Sequence, residues 1–420
     1  MEKTDKLTSK QLLAVFISGL AFTATCGVSY FINYYYAVYQ EATGFTDGQI
    51  GTILSAIGVI AVISYIFGGP LSDKFRSKVL LIFCCLSTAV CSLVMITFPP
   101  YEIMLVVQVV LGVCALLPHW SPLCKFITTI GKNQDQTNKI WGIYTAVVGA
   151  SGGIIGLICT AILQNNDARV GMRITVLVYV ALEVFCAVML PVVDKSKRGD
   201  PVSQGGGSFS FKDIARLLTM PKMWLIFLSL TGIYMTGFAF TYIMPLLSTA
   251  FLVPLATVTL ISTIRGNLIK VVTGPMAGTL AAKLHTSHKA NLLLYGVAAV
   301  GMILLVVIPW GPGSIVLALV AVALLAVAYS ASTTYWTPLS SDAGIPHECL
   351  GTAIGFCSVV MTIPDTFAYK LAGDAIEANG LSAYKTILLV VIGCYVVGAL
   401  ANIALIKIRQ KELAAEKAAQ

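Results

Sequence analysis

The chain is a succession of long apolar runs, and that pattern leaves few folds open to it. Runs bounded by polar residues, Gly or Pro cover residues 11–38, 47–71, 78–98, 102–130, 139–164, 173–193, 222–250, 255–281, 289–309, 313–339, 350–374 and 383–407. A segment of roughly 20 mainly apolar residues crosses a bilayer as a helix. Lipid offers backbone N–H and C=O groups no partners, so such segments must satisfy them internally. Of the 420 residues, 57% are hydrophobic and 11% are charged, against about 25% charged in soluble domains. The reading is an all-α membrane protein with twelve transmembrane helices. A soluble enzyme, a disulfide-built secreted domain and a disordered chain do not fit. The start is basic (Lys3, Lys6, Lys10), but the apolar run after it exceeds the core of a signal peptide, so it is read as the first span.

One break differs from the rest. Residues 194–221 are charged, then Gly/Ser-rich, then briefly amphipathic, which reads as a linker between two six-span halves. The expected organisation is an N-terminal bundle over 1–193, a cytoplasmic linker over 194–221, a C-terminal bundle over 222–407 and a cytoplasmic tail over 408–420. Placing the N-terminus inside puts twenty of the 27 Lys and Arg on the inner side and three (Arg169, Arg173, Lys385) outside; four (Lys125, Arg265, Lys270, Lys370) remain within spans. That asymmetry predicts both termini in the cytoplasm. It also accounts for the net charge of +8 without nucleic acid as a partner. The eleven cysteines lie almost wholly in apolar stretches and lack metal-site spacing. No cofactor or metal is expected.

The halves repeat weakly. Gly69-Pro70-Leu71-Ser72-Asp73-Lys74 follows span two, and Gly278-Thr279-Leu280-Ala281-Ala282-Lys283 follows span eight. Both follow spans of the same direction, as in a parallel repeat. The first copy, continued through Phe75-Arg76-Ser77-Lys78, resembles the G-x-L-x-D-R-x-G-R-K loop of the major facilitator superfamily, with Lys74 in place of Arg and Ser77 where Arg is usual. Gly69 permits close backbone approach. Asp73 is suited to accept from Arg76 and to sit by a helix N-terminus. The resemblance implies a latch built on Gly69, Asp73, Lys74 and Arg76. In the second copy Ala282 takes the acid's place, so the latch is expected in the N-terminal half only. The resemblance spans essentially the whole chain and implies alternating access about a midplane site between the halves.

Polar groups inside spans are costly and are functional candidates. Arg265 lies about ten residues into span eight. Lys270 follows about 140° further round an α-helix, so the two are not expected to face a cavity equally. Lys270 could instead pair or snorkel. Trp120-Ser121-Pro122-Leu123-Cys124-Lys125 is similar to the Trp-Pro-Pro-x-x-Arg stretch of the organophosphate:phosphate antiporters, with Lys125 for Arg; snorkelling is the other reading of Lys125. His119 is either a titrating group or a packed one. Asp365, after Pro364, has three open readings: proton carrier, partner of Arg265 or Lys270, or structural group in a kinked helix. Glu183 is the other buried acid; sixth spans are peripheral in the fold the resemblance implies. Residues 345–365 look like a bacterial facilitator subgroup distantly related to those antiporters and to hexuronate-type anion symporters. Tyr30 and Tyr34 share a helix face with Asn33 beside them, or belong to an interfacial belt. Tyr234 and Trp336 lie on spans seven and ten, which line the cavity of the implied fold together with spans one and four. The glycines of span five suit close helix packing and not nucleotide binding, since no strand precedes them.

Four basic groups against two acids within spans leave an excess that a bound anion would offset. The expected function is secondary transport of a small organic anion (a sugar acid, carboxylate or sugar phosphate), coupled to protons or a counter-anion. Arg265 would clamp it, Lys125 and Lys270 assist, and Tyr30, Asn33, Tyr34, His119, Trp120, Tyr234 and Trp336 complete the site. Asp365 or Glu183 would couple. The partners are then the substrate, the coupling ion and the bilayer, and a monomer suffices. The alternatives are a drug or neutral-solute proton antiporter of the same fold and, from another class, a transporter-like sensor.

Overall fold

A computed structural model describes residues 7–130, 134–193, 211–336, 338–345 and 350–418. Among them every regular element is helical. Two compact units emerge: one holds 1–45 and 53–208, the other Thr46–Thr52 and Phe209–Gln420.

The N-terminal unit runs α1 (Ser9–Ser29), α2 (Phe31–Thr43), α3 (Asp47–Lys74), α4 (Ser77–Met95), α5 (Tyr101–Leu116), α6 (Trp120–Ile130), α7 (Gln134–Gln164) and α8 (Ala168–Val193). The C-terminal unit runs α9 (Phe211–Leu218), α10 (Pro221–Thr249), α11 (Leu255–Thr263), α12 (Ile269–Leu284), α13 (Ser287–Val307), α14 (Ile315–Ser332), α15 (Pro338–Asp342), α16 (Leu350–Thr362), α17 (Asp365–Asn379) and α18 (Leu381–Ala418). Local chemistry sets several ends. Thr8 and Gln11 form a reciprocal capping box at α1. Gly44, at φ 75°, closes α2. Pro221 occupies the first turn of α10, where its missing N–H costs nothing.

Eleven helices among the described residues are long and apolar enough to span a membrane. The twelfth span is α16 with α17, split at Ile363-Pro364. Proline removes a hydrogen bond and clashes with the preceding turn, so neither piece alone has spanning length. Twelve spans in two six-helix bundles result. Polar side chains such as Thr25, Ser229, His288, Asn291 and Asn402 are buried inside, while Val188, Val272 and Val316 are exposed. That inversion of a soluble fold is what lipid requires. Packing and interhelical hydrogen bonds then hold the bundles, since lipid is as apolar as leucine. Asn402 Nδ2 to Ser229 Oγ at 2.6 Å and Thr236 to Tyr395 at 2.7 Å are examples.

Of the spans that the resemblance assigned to a cavity, one, four and ten are interrupted while seven runs unbroken as α10, and span eight is interrupted as well. Span one breaks at Tyr30 and again at Tyr35, whose φ of −129° and ψ of 40° are non-helical. Span four breaks over residues 117–119, at Pro118. Span eight contains a π-turn, Ile264–Leu268. Span ten narrows to a 3₁₀ turn, Thr333–Tyr335. Spans three, nine and twelve run unbroken as α4, α13 and α18.

The segment expected as linker lies outside the described residues except for its end, where α9 forms. The tail expected over 408–420 instead continues α18 to Ala418, because its Ala, Glu and Lys are strong helix formers. Lys222 bonds the Ala343 carbonyl at 3.1 Å and pairs with Glu412, tying that extension to its bundle.

The start of α3 clusters with the C-terminal unit. There Gly48 N–H donates to Glu377 at 3.0 Å. A Cβ on Gly51 would lie 2.4 Å from the Tyr369 carbonyl oxygen, and one on Gly373 2.3 Å from that of Asp47. Only glycine permits this backbone-to-backbone approach.

Candidate functional site

Interruptions free backbone groups at membrane depth, a state tolerated where the backbone is buried in protein or lines a cavity. Tyr30, His119, Trp120, Arg265, Trp336 and Asp365 all sit at or beside one. Each unit gathers its share into a cluster.

In the N-terminal unit, Phe22, Cys26, Tyr30, Asn33 and Tyr34 form a half-buried stripe along α1 and α2. Phe22 meets the rings of His119 at 5.4 Å, Trp120 at 6.0 Å and Tyr144 at 6.2 Å. Trp120 is 42% exposed, whereas His119 is buried behind it. The imidazole Nδ1 lies 3.1 Å from Thr25 Oγ1 and 3.2 Å from Cys84 Sγ. Of the two readings of His119, this surrounding is that of a packed group. Lys125, only 5% exposed, donates from Nζ to the Ser72 carbonyl at 3.0 Å. A cation on the last carbonyls of a helix is favourable, so this lysine is engaged at the end of α3. Glu183 is wholly buried on α8, and neither carboxylate oxygen has a hydrogen-bond partner.

The latch region forms the end of α3 and a tight turn into α4, with Arg76 as the N-cap residue of α4 and Lys74 exposed. The side chains of Gly69 and Asp73 lie outside the described residues. In the second half, Asp342 Oδ2 accepts from Ser287 N–H at 2.7 Å, at the N-terminus of α13. The loop after span eight thus receives a carboxylate from α15 although its own acid position is Ala282. Sequence repeat alone could not find it, because the acid comes from another helix.

The C-terminal unit holds the denser cluster. Asp365, 8% exposed, opens α17, where the helix dipole favours a carboxylate. Tyr234 on α10 donates to its Oδ2 at 2.5 Å, while Oδ1 is buried without a hydrogen-bond partner. The partner of Asp365 is therefore Tyr234, and neither Arg265 nor Lys270 fills that role. Trp336 packs with its ring 6.3 Å from that of Tyr234, and its indole Nε1 is likewise buried without a hydrogen-bond partner. Tyr242 donates to the Tyr369 carbonyl at 2.8 Å, and Phe238 packs against both rings.

Arg265 lies in the π-turn, half-buried, with its guanidinium 4.4 Å over the ring of Phe240. Phe240 was not visible as a functional residue in the sequence; its signal is the stacking itself. The π-turn also corrects the angular argument. Its Ile269 N–H bonds the Ile264 carbonyl, five residues back, so residues five apart swing toward one side of the helix. Arg265 and Lys270 are closer in azimuth than an α-helix allows. Lys270 itself is exposed.

The family model for the Major Facilitator Superfamily matches residues 12–368. Among curated proteins, the chain is 24% identical over 365 residues to the inner membrane protein YqcE of Escherichia coli K12, covering 83% of this chain and 84% of that one. It is 22% identical over 395 residues to YihN of the same strain, covering 91% and 93%. Among solved structures, the nucleoside transporter NupG superposes with a TM-score of 0.71 at 15% identity, covering 95% of this chain and all of that one. A bacterial homologue of the lysosomal transporter Spinster, inward-facing and unoccupied, gives 0.73 at 14%, covering 96% and 98%. The D-xylose–proton symporter gives 0.71 at 13%, covering 95% and 97%. Twelve spans in two bundles, interrupted helices around buried polar groups and the match along most of the chain lead to one conclusion: this protein belongs to the Major Facilitator Superfamily and is a multi-pass secondary transporter working by alternating access, not an enzyme.

Proposed function

We propose that this transporter moves a small organic anion, with Arg265 as the anion's cation and Asp365 as the proton-coupling group. The observation that carries the reading is Arg265, held by a π-turn about ten residues, or about 15 Å, into its span and stacked on Phe240. A guanidinium at membrane depth costs roughly 2.5–3.5 kcal/mol on insertion scales. Its planar fork bonds carboxylate or phosphate bidentately, and such charge-assisted bonds are strong away from water. Stacking on Phe240 fixes the plane of the fork, and Lys270, brought round by the same turn, adds positive field. Tyr234 and Trp336 orient the organic part.

Asp365 is suited to carry a proton because only one of its oxygens is hydrogen-bonded, which leaves the other to gain or lose one. The inner-membrane names of the two Escherichia coli relatives support residence in the cytoplasmic membrane. The excess of inner-side Lys and Arg supports cytoplasmic termini.

The test is ligand-dependent thermal stabilisation of the purified protein. Sugar acids, simple carboxylates and phosphate esters are compared with neutral sugars and lipophilic cations. A ligand at 100 times its Kd stabilises by about 2.7 kcal/mol. Stabilisation by anions, lost in Arg265→Ala, is expected. A shift only with neutral solutes or cations, unaffected by Arg265→Ala, overturns the proposal. It would favour the second reading, a neutral-solute proton antiporter, for which the Asp365–Tyr234 pair would serve without Arg265.

A further inference from the structure

Two buried polar atoms flank Tyr234 with no hydrogen-bond partner: the Nε1 donor of Trp336 and the Oδ1 acceptor of Asp365. Native proteins pair the great majority of such atoms, and each orphan costs about 1–3 kcal/mol. The two come from different helices and meet around one phenol, whose own hydroxyl is committed to Asp365 Oδ2 at 2.5 Å. A donor and an acceptor set beside two aromatic rings describe a ligand. We infer that Trp336, Tyr234 and Asp365 form a hydroxyl-reading subsite, so that the transported anion is polyhydroxylated: a sugar acid or sugar phosphate, not a plain carboxylate.

Complementarity decides among the anions. With Asp365 ionised, an alkyl carboxylate or a dianionic alkyl phosphate can accept from Trp336 Nε1, but it has no donor for Asp365 Oδ1. A lipophilic cation satisfies neither atom. A hydroxyl both gives and accepts, so a polyhydroxylated ligand has groups for both orphans. The apolar face of a sugar ring lies well on indole or phenol, which combine a wide apolar surface with a polar edge.

Tyr234 and Phe240, the platform of Arg265, are six residues apart on α10, about 9 Å along the helix axis and about 120° round it. The inference rests on the reading of Arg265 as the anion site. It also places proton and substrate at one atom, since a proton on Oδ1 turns that acceptor into a donor.

The experiment measures apparent affinities of the purified full-length protein by thermal shift, with three probe pairs. D-glucuronate and glucose 6-phosphate are hydroxylated anions, hexanoate and hexyl phosphate are chain anions, and D-xylose and uridine are neutral hydroxylated solutes. The wild type is expected to prefer the hydroxylated anions over the chain anions by about tenfold or more, as one or two hydrogen bonds imply. Trp336→Phe, which keeps an aromatic ring and removes the donor, should reduce that preference several-fold. Arg265→Gln should weaken both anion pairs alike. Equal affinity for hydroxylated and chain anions in the wild type overturns the subsite and leaves the anion site standing. Binding of neutral solutes alone, weakened by Trp336→Phe, keeps the subsite and overturns the anion reading. No binding by any pair overturns both. If Trp336→Phe does not fold, the wild-type series decides alone, with Tyr234→Phe as the second variant.

Discussion

Replacing Gly373 by alanine tests the tightest backbone-to-backbone approach among the described glycines of the C-terminal unit. The new Cβ would stand 2.3 Å from the Asp47 carbonyl oxygen and 3.2 Å from Gly51 Cα. Carbon and carbonyl oxygen rest at about 3.3–3.6 Å, so the first turns of α3 must retreat from α17 by about 1 Å. Both obstacles are backbone, which no rotamer change can move aside. Overpacking of this kind costs about 1–3 kcal/mol. The retreat also stretches the 3.0 Å bond from Gly48 to Glu377, whose worth is small because the carboxylate is exposed. For a unit of about 200 residues each kcal/mol lowers Tm by roughly 2–4 °C, so a fall of about 2–12 °C is expected. The assay is thermal unfolding in detergent, with hydrogen exchange followed over Thr46–Thr52. Gly274→Ala is the control, because nothing lies within 4 Å of its Cβ; there alanine gains about 0.5–1 kcal/mol of helix preference. Gly373→Ala as stable as the control, with unchanged exchange over Thr46–Thr52, would refute the packing argument.

Other perturbations follow from single contacts. Tyr234→Phe leaves both oxygens of buried Asp365 without a partner and should cost about 1–3 kcal/mol in thermal stability, with Asp365→Asn in the same background recovering much of it. Lys125→Met removes the donor to the Ser72 carbonyl; it should lower stability by about 1.5–3 kcal/mol while leaving anion-induced thermal shifts in place. Exchanging the charges, Arg265→Asp with Asp365→Arg, should fail to restore uptake, since Asp365 is bonded to Tyr234 and not to Arg265. Asp342→Ala should remove the acceptor for Ser287 N–H and cost about 0.5–2 kcal/mol, although the sequence repeat shows no acid in that loop.

The span pattern was legible because lipid imposes one period and one length on every helix. Pro364 announced one of the interruptions. The π-turn at Ile264–Leu268 carries no such mark beyond the weak helix formers Gly266 and Asn267. The azimuth of Arg265 relative to Lys270 was consequently misjudged. Partners separated along the chain were also hidden. Asp365 and Tyr234 are 131 residues apart, and the sequence left Asp365 open as proton carrier, partner of Arg265 or Lys270, or structural group. Residue types at midspan therefore found the candidates Arg265, Asp365, Tyr234 and Trp336, while their pairing came from tertiary structure. The same limit explains Phe240 and Gly373, which look like ordinary packing residues until the guanidinium and the backbone of α3 are set against them.

The central claim is that Arg265 holds the anionic end of the substrate. The direct measurement is the affinity of the purified wild type and of Arg265→Gln for D-glucuronate and for glucose 6-phosphate, by calorimetry at one pH and ionic strength. A charged hydrogen-bonding contact of about 1.5–3 kcal/mol predicts a loss of roughly 10- to 150-fold with Tm of the free protein little changed. Equal affinity of the two proteins for the anion that binds, or binding of neither anion to the wild type, would contradict it.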